Sequence, residues 1–363
     1  MRVPKEVAWR FRPREVAVPD ALWQDRTLPE GAKYFWCKLR LLRDARPASR
    51  TLITTYTELR VETQVSHNRI NEYLIALESA GWLEVTRLGR SRLQVVIRWP
   101  RGVSFLRLPD DILRDHELPH AARWIWGVVR RLGQPFDYGQ LIALTGYSHN
   151  TLTHHVKVLR EREWLQGEHR FMARRKLFSL VVANPLESRR QAELARFLKA
   201  AQLVERTNRY SWGQFIAEQM VVIRAGAHVV RNGAASWLAN DDTGAWLECD
   251  VLLHKHRVVI EFQGPQHDGP TERFSDPQEV AALQKRDQLK RQRCRQAGFW
   301  LGEVRARDLS FAAIDRLLKE ARVPIQPLPD EKRYVYALLE YCAAQYRAAA
   351  ERRAIEGLAI SRA

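Results

Sequence analysis

Residues 56–83 read YTELRVETQVSHNRINEYLIALESAGWL, and residues 138–165 read YGQLIALTGYSHNTLTHHVKVLREREWL, the same pattern returning at a constant offset. The shared positions are Tyr56 and Tyr138, Leu59 and Leu141, Thr63 and Thr145, Ser66-His67-Asn68 and Ser148-His149-Asn150, Leu77 and Leu159, and Trp82-Leu83 and Trp164-Leu165. Upstream, Leu28-Pro29, Ala32 and Trp36 return as Leu118-Pro119, Ala122 and Trp126, with extra residues of the first copy falling around Arg43 to Thr51. A repeat of this kind means two copies of one small module.

Within each copy the pattern predicts helix, turn, helix and hairpin. Ser66 has a hydroxyl suited to cap a helix, and Ile70, Tyr73, Leu74 and Leu77 follow the i, i+3, i+4, i+7 spacing of one buried face. His67, Asn68, Arg69, Asn71 and Glu72 are left on the early or exposed side. In the second copy Leu152, Val156 and Leu159 hold the same stripe, His155 replaces Tyr73, and His149, Asn150, Thr151, Thr153 and His154 are presented. Residues 83–99 alternate around Leu88-Gly89-Arg90-Ser91, with Arg92 following, and residues 165–183 carry Arg170, Arg174, Arg175 and Lys176, so each helix leads into a basic β-hairpin. Both copies resemble winged helix-turn-helix domains of bacterial regulators and plasmid replication initiators. That resemblance implies helix residues reaching base edges and hairpin arginines on phosphate; the same module also serves as a protein-protein adaptor.

The composition agrees with a nucleic-acid partner. Lys plus Arg outnumber Asp plus Glu 59 to 42, a net charge of +17, with 45% hydrophobic and 28% charged residues, which disfavours disorder. No apolar run approaches a membrane span, and residues 1–13 lack the apolar core of a signal peptide. The four cysteines are scattered, without zinc spacing or a disulfide framework. The expected setting is a bacterial-type cytoplasm, in association with the nucleoid, and not a membrane.

After a helical connection at 186–204, a helix at 212–223 carries Glu218, and two apolar runs follow, 246–253 and 258–263. As adjacent strands they place Glu248 and Asp250 on one face of the first, and Glu261 and Gln263 on one face of the second. Carboxylates set among Val, Ile and Phe call for a compensating charge, and hard oxygen ligands select Mg²⁺ or Mn²⁺. The competing arrangement is an edge strand with a solvated acidic face; a glycine-rich turn carrying His267 speaks against it. On the helix at 277–297, Leu283, Asp287, Lys290 and Cys294 share one face, while Lys285, Arg286, Arg291, Arg293 and Arg295 populate the others and offer phosphate contacts.

Glu218, Asp250, Glu261-x-Gln263-Gly264, His267, Asp287-x-x-Lys290 and Cys294 in this order resemble the PD-(D/E)XK nucleases, most closely the branch of the very-short-patch mismatch endonucleases. The resemblance implies that Asp250, Glu261 and the backbone carbonyl of Phe262 ligate the metal, with Glu248 or His267 available for a second ion, and that Glu218 or His267 holds or activates water. The family's usual lysine is Gln263 here, so Lys290 is the implied cation for the attacked phosphate.

The expected chain is therefore multi-domain α+β: winged helices at 1–102 and 103–185, a helical linker at 186–209, an α/β nuclease domain at 210–322 and a helical extension at 323–363, whose apolar stripe packs within the chain or against a second copy or partner protein. The expected activity is metal-dependent cleavage or nicking of double-stranded DNA. The alternative is an inactive regulator, or a replication or transposition subunit, that only grips DNA.

Overall fold

The computed structural model describes the chain apart from residues 1–2, 9–10, 12, 47–50, 90, 101, 134–135, 173–174, 208–210, 227–228, 240–243, 245, 265–276 and 361–363; for 168–172, 175–179, 277 and 353–360 it describes the backbone alone. The chain mixes helices with several small sheets and divides into two compact units. One is Pro13–Glu187; the other joins Met1–Arg12, with its short helix α1 (Lys5–Ala8), to Ser188–Ala363.

In the first unit, copy one runs β1 (Glu15–Pro19), α2 (Asp20–Trp23), α3 (Glu30–Asp44), β2 (Thr51–Thr55), α4 (Tyr56–Thr63), α5 (His67–Ser79), β3 (Leu83–Leu88) and β4 (Arg92–Ile97). Copy two runs β5 (Phe105–Pro109), α6 (Asp110–Arg114), α7 (His120–Leu132), α8 (Tyr138–Thr145), α9 (His149–Glu161), β6 (Leu165–Met172) and β7 (Arg175–Val182). The helix-helix-hairpin order matches the expectation. Ser148 caps α9 by accepting from Thr151 N–H, whereas Ser66 has the N-cap backbone geometry but makes no side-chain bond. Strand β2 adds a third strand to the first hairpin, in the order β2-β4-β3.

The boundary expected at 102/103 does not separate two bodies. Strand β1 pairs antiparallel with β5, and Ala17 faces Arg107, its counterpart in the repeat, as an approximate two-fold axis between the copies requires. Phe35, Trp36 and Leu39 of α3 and Trp124, Ile125 and Trp126 of α7 belong to one core. The physical reason lies in these helices, each buried over consecutive residues (Gly31–Leu39; Ala122–Val129) rather than along one stripe. A helix covered on all sides needs neighbours that a single copy cannot supply.

The second unit contains α10 (Pro185–Thr207) from Ser188 onward, α11 (Trp212–Ala225), β8 (Val230–Ala239), β9 (Trp246–Leu253), β10 (Val258–Gln263), α12 (Pro277–Gln296), β11 (Trp300–Arg305), α13 (Phe311–Glu320) and α14 (Arg333–Ile360). Its sheet has the order β11-β10-β9-β8, with β10 and β11 parallel and the other pairs antiparallel. The parallel pair follows from α12, which carries the chain back across the sheet. Residues of α10, α11, α13 and α14 build the larger core on one face; Cys249, Leu252, Val259 and Cys294 form a smaller one beneath α12. Strand β10 is buried at every position, which is why it reads as an apolar run in sequence.

Two of the expected segments contribute to the core of this unit. The helix taken as a linker is structural: Leu194, Phe197 and Ala201 of α10 are in the core, and buried Arg190 pairs with Asp330 at 3.4 Å. The expected extension also belongs to this core, since Tyr334, Leu338, Leu339 and Cys342 of α14 are buried in it; its apolar stripe is used inside the unit. The N-terminal segment joins them through Val7 and Phe11, the latter stacked 4.8 Å from Tyr334.

Candidate functional site

Strands β9 and β10 keep regular pairing from Leu253↔Val258 to Val251↔Ile260. At the next position side chains replace the ladder. Asp250 Oδ2 accepts the Phe262 N–H at 2.7 Å, and Glu261 Oε1 accepts the Asp250 N–H at 3.2 Å. On the other side of β9, Asn232 lies between the pairs Arg231↔Val251 and Gly233↔Cys249 and takes φ 48°, a left-handed conformation unusual for a strand residue. Asp250 thus sits in a notch where both neighbouring ladders are interrupted, with its carboxylate turned into the plane of the sheet.

Helix α12 closes one face of this notch and α11 the other. Lys290 Nζ donates to Glu261 Oε2 at 2.6 Å, and both side chains are buried. From α11, buried Glu218 faces the field of Asp250 and accepts from Gln214 Nε2 at 3.1 Å. Gln214 also donates to Asn232 Oδ1 at 2.9 Å, tying the start of α11 to the distorted position in β8. That start lies close to the sheet because residue 213 is glycine: a Cβ there would stand 2.3 Å from Phe262 Cζ.

Burial, with repulsion from Asp250 added, pushes the Glu218 carboxyl up to about 7. Glu261 is raised by the same two causes and held back by Lys290. Three carboxylates, Glu218 and Glu261 buried and Asp250 half-buried, therefore stand together with the Lys290 ammonium, while the field of Arg231 also acts on Glu218, an arrangement that favours proton uptake or a further cation. Gln263, on β10 two residues beyond Glu261, is buried, and among the described residues its Oε1 has no hydrogen-bond partner. Carboxylate and amide oxygens are the hard donors that Mg²⁺ takes, but both Glu261 oxygens are already engaged, by the Asp250 N–H and by Lys290. Among the described residues no cluster of three His, Cys, Asp or Glu side chains is arranged to hold a metal.

Of the expected site residues, Glu218, Asp250, Glu261 and Lys290 are brought together. Asp287 is buried one turn before Lys290; the pKa of the Arg291 guanidinium is raised chiefly by its hydrogen bond to Glu303, and the field of Asp287 adds to this. Glu248 is not brought in: it is exposed, because the alternation of β9 slips at Asp250 and leaves Cys249 facing α12 while Val251 faces α11. His267 lies outside the described residues. Arg286 is exposed on α12, but Arg291 is engaged by Glu303 at 2.7 Å. Gln214 and Asn232 were missed. The i, i+4 spacing of Gln214 and Glu218 on one helix was a usable signal; a left-handed residue inside a strand had none.

The first unit carries a cleft between helix and hairpin in each copy. The rings of His67 and Tyr56 meet at a tilt with centroids 4.5 Å apart, as those of His149 and Tyr138 do at 4.7 Å. Asn68, Arg69, Arg92 and Asn150 are exposed and Asn71 half-buried. Thr151 is half-buried with its hydroxyl 2.9 Å from Ser148 Oγ, and the Thr153 hydroxyl donates to the His149 carbonyl, so both are partly occupied. Arg90 and Arg174 lie outside the described residues; Arg175 and Lys176 are on β7, with only their backbone described.

No protein-family model matches the chain, and no curated protein matches it either.

Proposed function

We propose that the second unit is a metal-dependent phosphodiesterase of the PD-(D/E)XK type acting on double-stranded DNA, and that the two copies in the first unit are winged helix-turn-helix modules that place it there. The observation that carries this reading is the notch: Asp250 and Glu261 locked across a broken strand pair, with Lys290 on Glu261. A bound Mg²⁺ or Mn²⁺ would neutralise charge on the phosphate and lower the pKa of a water. Asp250 and Glu261 would hold it, with the Gln263 amide on the same strand as a further polar group. Glu218, with a pKa near 7, is suited to accept a proton from water and return it to the leaving oxygen. Lys290, once released from Glu261, would supply the cation that Gln263 cannot.

One observation favours a second reading, a DNA-gripping protein without cleavage: Lys290 is committed to Glu261, and position 263 lacks a cation. The test is incubation of the purified chain with supercoiled, linear and mismatched duplexes in Mg²⁺, Mn²⁺ or EDTA, beside Asp250→Ala and Glu261→Ala. Metal-dependent cleavage lost in both variants is the expected result. Cleavage that survives both would overturn the site, and tight binding with no cleavage in any metal would establish the second reading.

A further inference from the structure

The two copies share their cleft-mouth residues but not the rest of the helix. Aligned on the repeat, Glu72, Ile75 and Glu78 of α5 stand where α9 has His154, Lys157 and Arg160, and all six are exposed. Helices α4 and α5 together carry Arg60 and Arg69 against Glu58, Glu62, Glu72 and Glu78; α8 and α9 carry Lys157 and Arg160 against Glu161 alone. In a chain of net charge +17, the first pair is thus acidic and the second basic.

The clefts differ in the same sense. The second, about 870 Å³, runs along α9 from His149 past Lys157 and Arg160 to the start of β6 at Gln166 and Gly167. Lys157 has a carboxylate partner in Glu161 at 3.7 Å, but both are largely exposed, and such pairs contribute little that a phosphate could not replace. The first, about 570 Å³, is confined to the early part of α5, with Arg87 and Gly89 of the hairpin opposite. There Asn71 Oδ1 accepts from Arg87 Nη2 at 3.2 Å, with the Tyr56 hydroxyl 3.5 Å away. With its oxygen engaged, Asn71 has its amide N–H groups left to offer, beside a guanidinium that is also only a donor. Two neighbouring donors match the two adjacent acceptors that guanine shows in the major groove, N7 and O6, while Glu72, which lines the same cleft, is set against phosphate.

We infer that the copies divide the work: the second grips the phosphate backbone through Lys157 and Arg160, and the first reads a guanine through Asn71 and Arg87. The inference rests on the DNA reading above and deepens it. Both helices keep the same apolar stripe for the core, so only their outer faces are free to diverge in this way.

The test uses the full chain in EDTA, with binding to a randomised duplex pool measured across a salt series. Lys157→Gln with Arg160→Gln should weaken binding to all duplexes alike and reduce the slope of log affinity against log salt by about 2. Asn71→Ala should leave that slope unchanged and relax a guanine preference at one position by about tenfold. Unchanged melting midpoints would show that each variant is folded. The division is overturned if the double variant leaves the slope intact, or if Asn71→Ala weakens all sequences equally. Absence of salt-sensitive duplex binding by the unaltered protein would instead remove the DNA reading itself, and this inference with it.

Discussion

Replacing Glu218 by glutamine should stabilise the protein, and only above mildly acidic pH. Glu218 is 4% exposed, and its carboxyl is pushed from an ordinary value of 4.5 up to about 7 by burial and by Asp250. Below 4.5 the side chain is protonated whether the chain is folded or not, and it costs nothing. As pH rises from 4.5 to 7 the unfolded chain ionises first, so folding stability falls; above 7 the penalty is complete, at ~3 kcal/mol from about 1.4 kcal/mol per unit. Glutamine keeps an acceptor for Gln214 Nε2 and removes the ionisation. The variant should therefore melt near the unaltered protein at pH 5 and ~10 °C above it at pH 8, given about 2–4 °C per kcal/mol for a unit of this size. Thermal melts at half-unit pH steps in EDTA measure this. Parallel curves for the two proteins from pH 5 to 8 would refute the placement of Glu218 beside Asp250 in the notch.

Three further substitutions probe the packing around the site and the repeat. Lys290→Met leaves Glu261 buried without its partner and should cost about 3–5 kcal/mol at pH 8 in a denaturant titration, less at pH 5 where Glu261 is protonated. Gly213→Ala puts a methyl against Phe262 and should lower stability by about 1–3 kcal/mol, with an equal loss for Gly213→Ser. Trp126→Phe should cost about 1–3 kcal/mol more than Trp36→Phe, although the two positions are counterparts: Trp126 Nε1 donates to the Trp164 carbonyl at 3.0 Å, while Trp36 Nε1 has no partner among the described residues. Equal losses at the two tryptophans would show that the bond contributes nothing.

Secondary structure was legible wherever periodicity was strong. The hairpins at 83–97 and 165–182, the helix at 277–296 and the strand pair at 246–263 all lie where apolar spacing places them. Glu218, Asp250, Glu261 and Lys290 were legible as polar residues on core-facing positions, because burying such groups is costly without a reason. Glu248 was misplaced by the assumption of unbroken alternation, which holds only while the backbone ladder is intact. At Asp250 it is not, since the carboxylate takes the Phe262 N–H that β9's backbone would otherwise have met.

The amino-acid pattern alone established the repeat, the order of elements and the acid-bearing strands, all of which depend on spacing along the chain. Three matters were decided only in three dimensions. The copies share one core, residues 1–12 and α14 complete the second unit, and Asp250 turns into the sheet plane to meet Phe262. Each depends on contacts between residues far apart in sequence, where the stabilising term is mutual burial or a hydrogen bond whose two halves show no periodicity relating them.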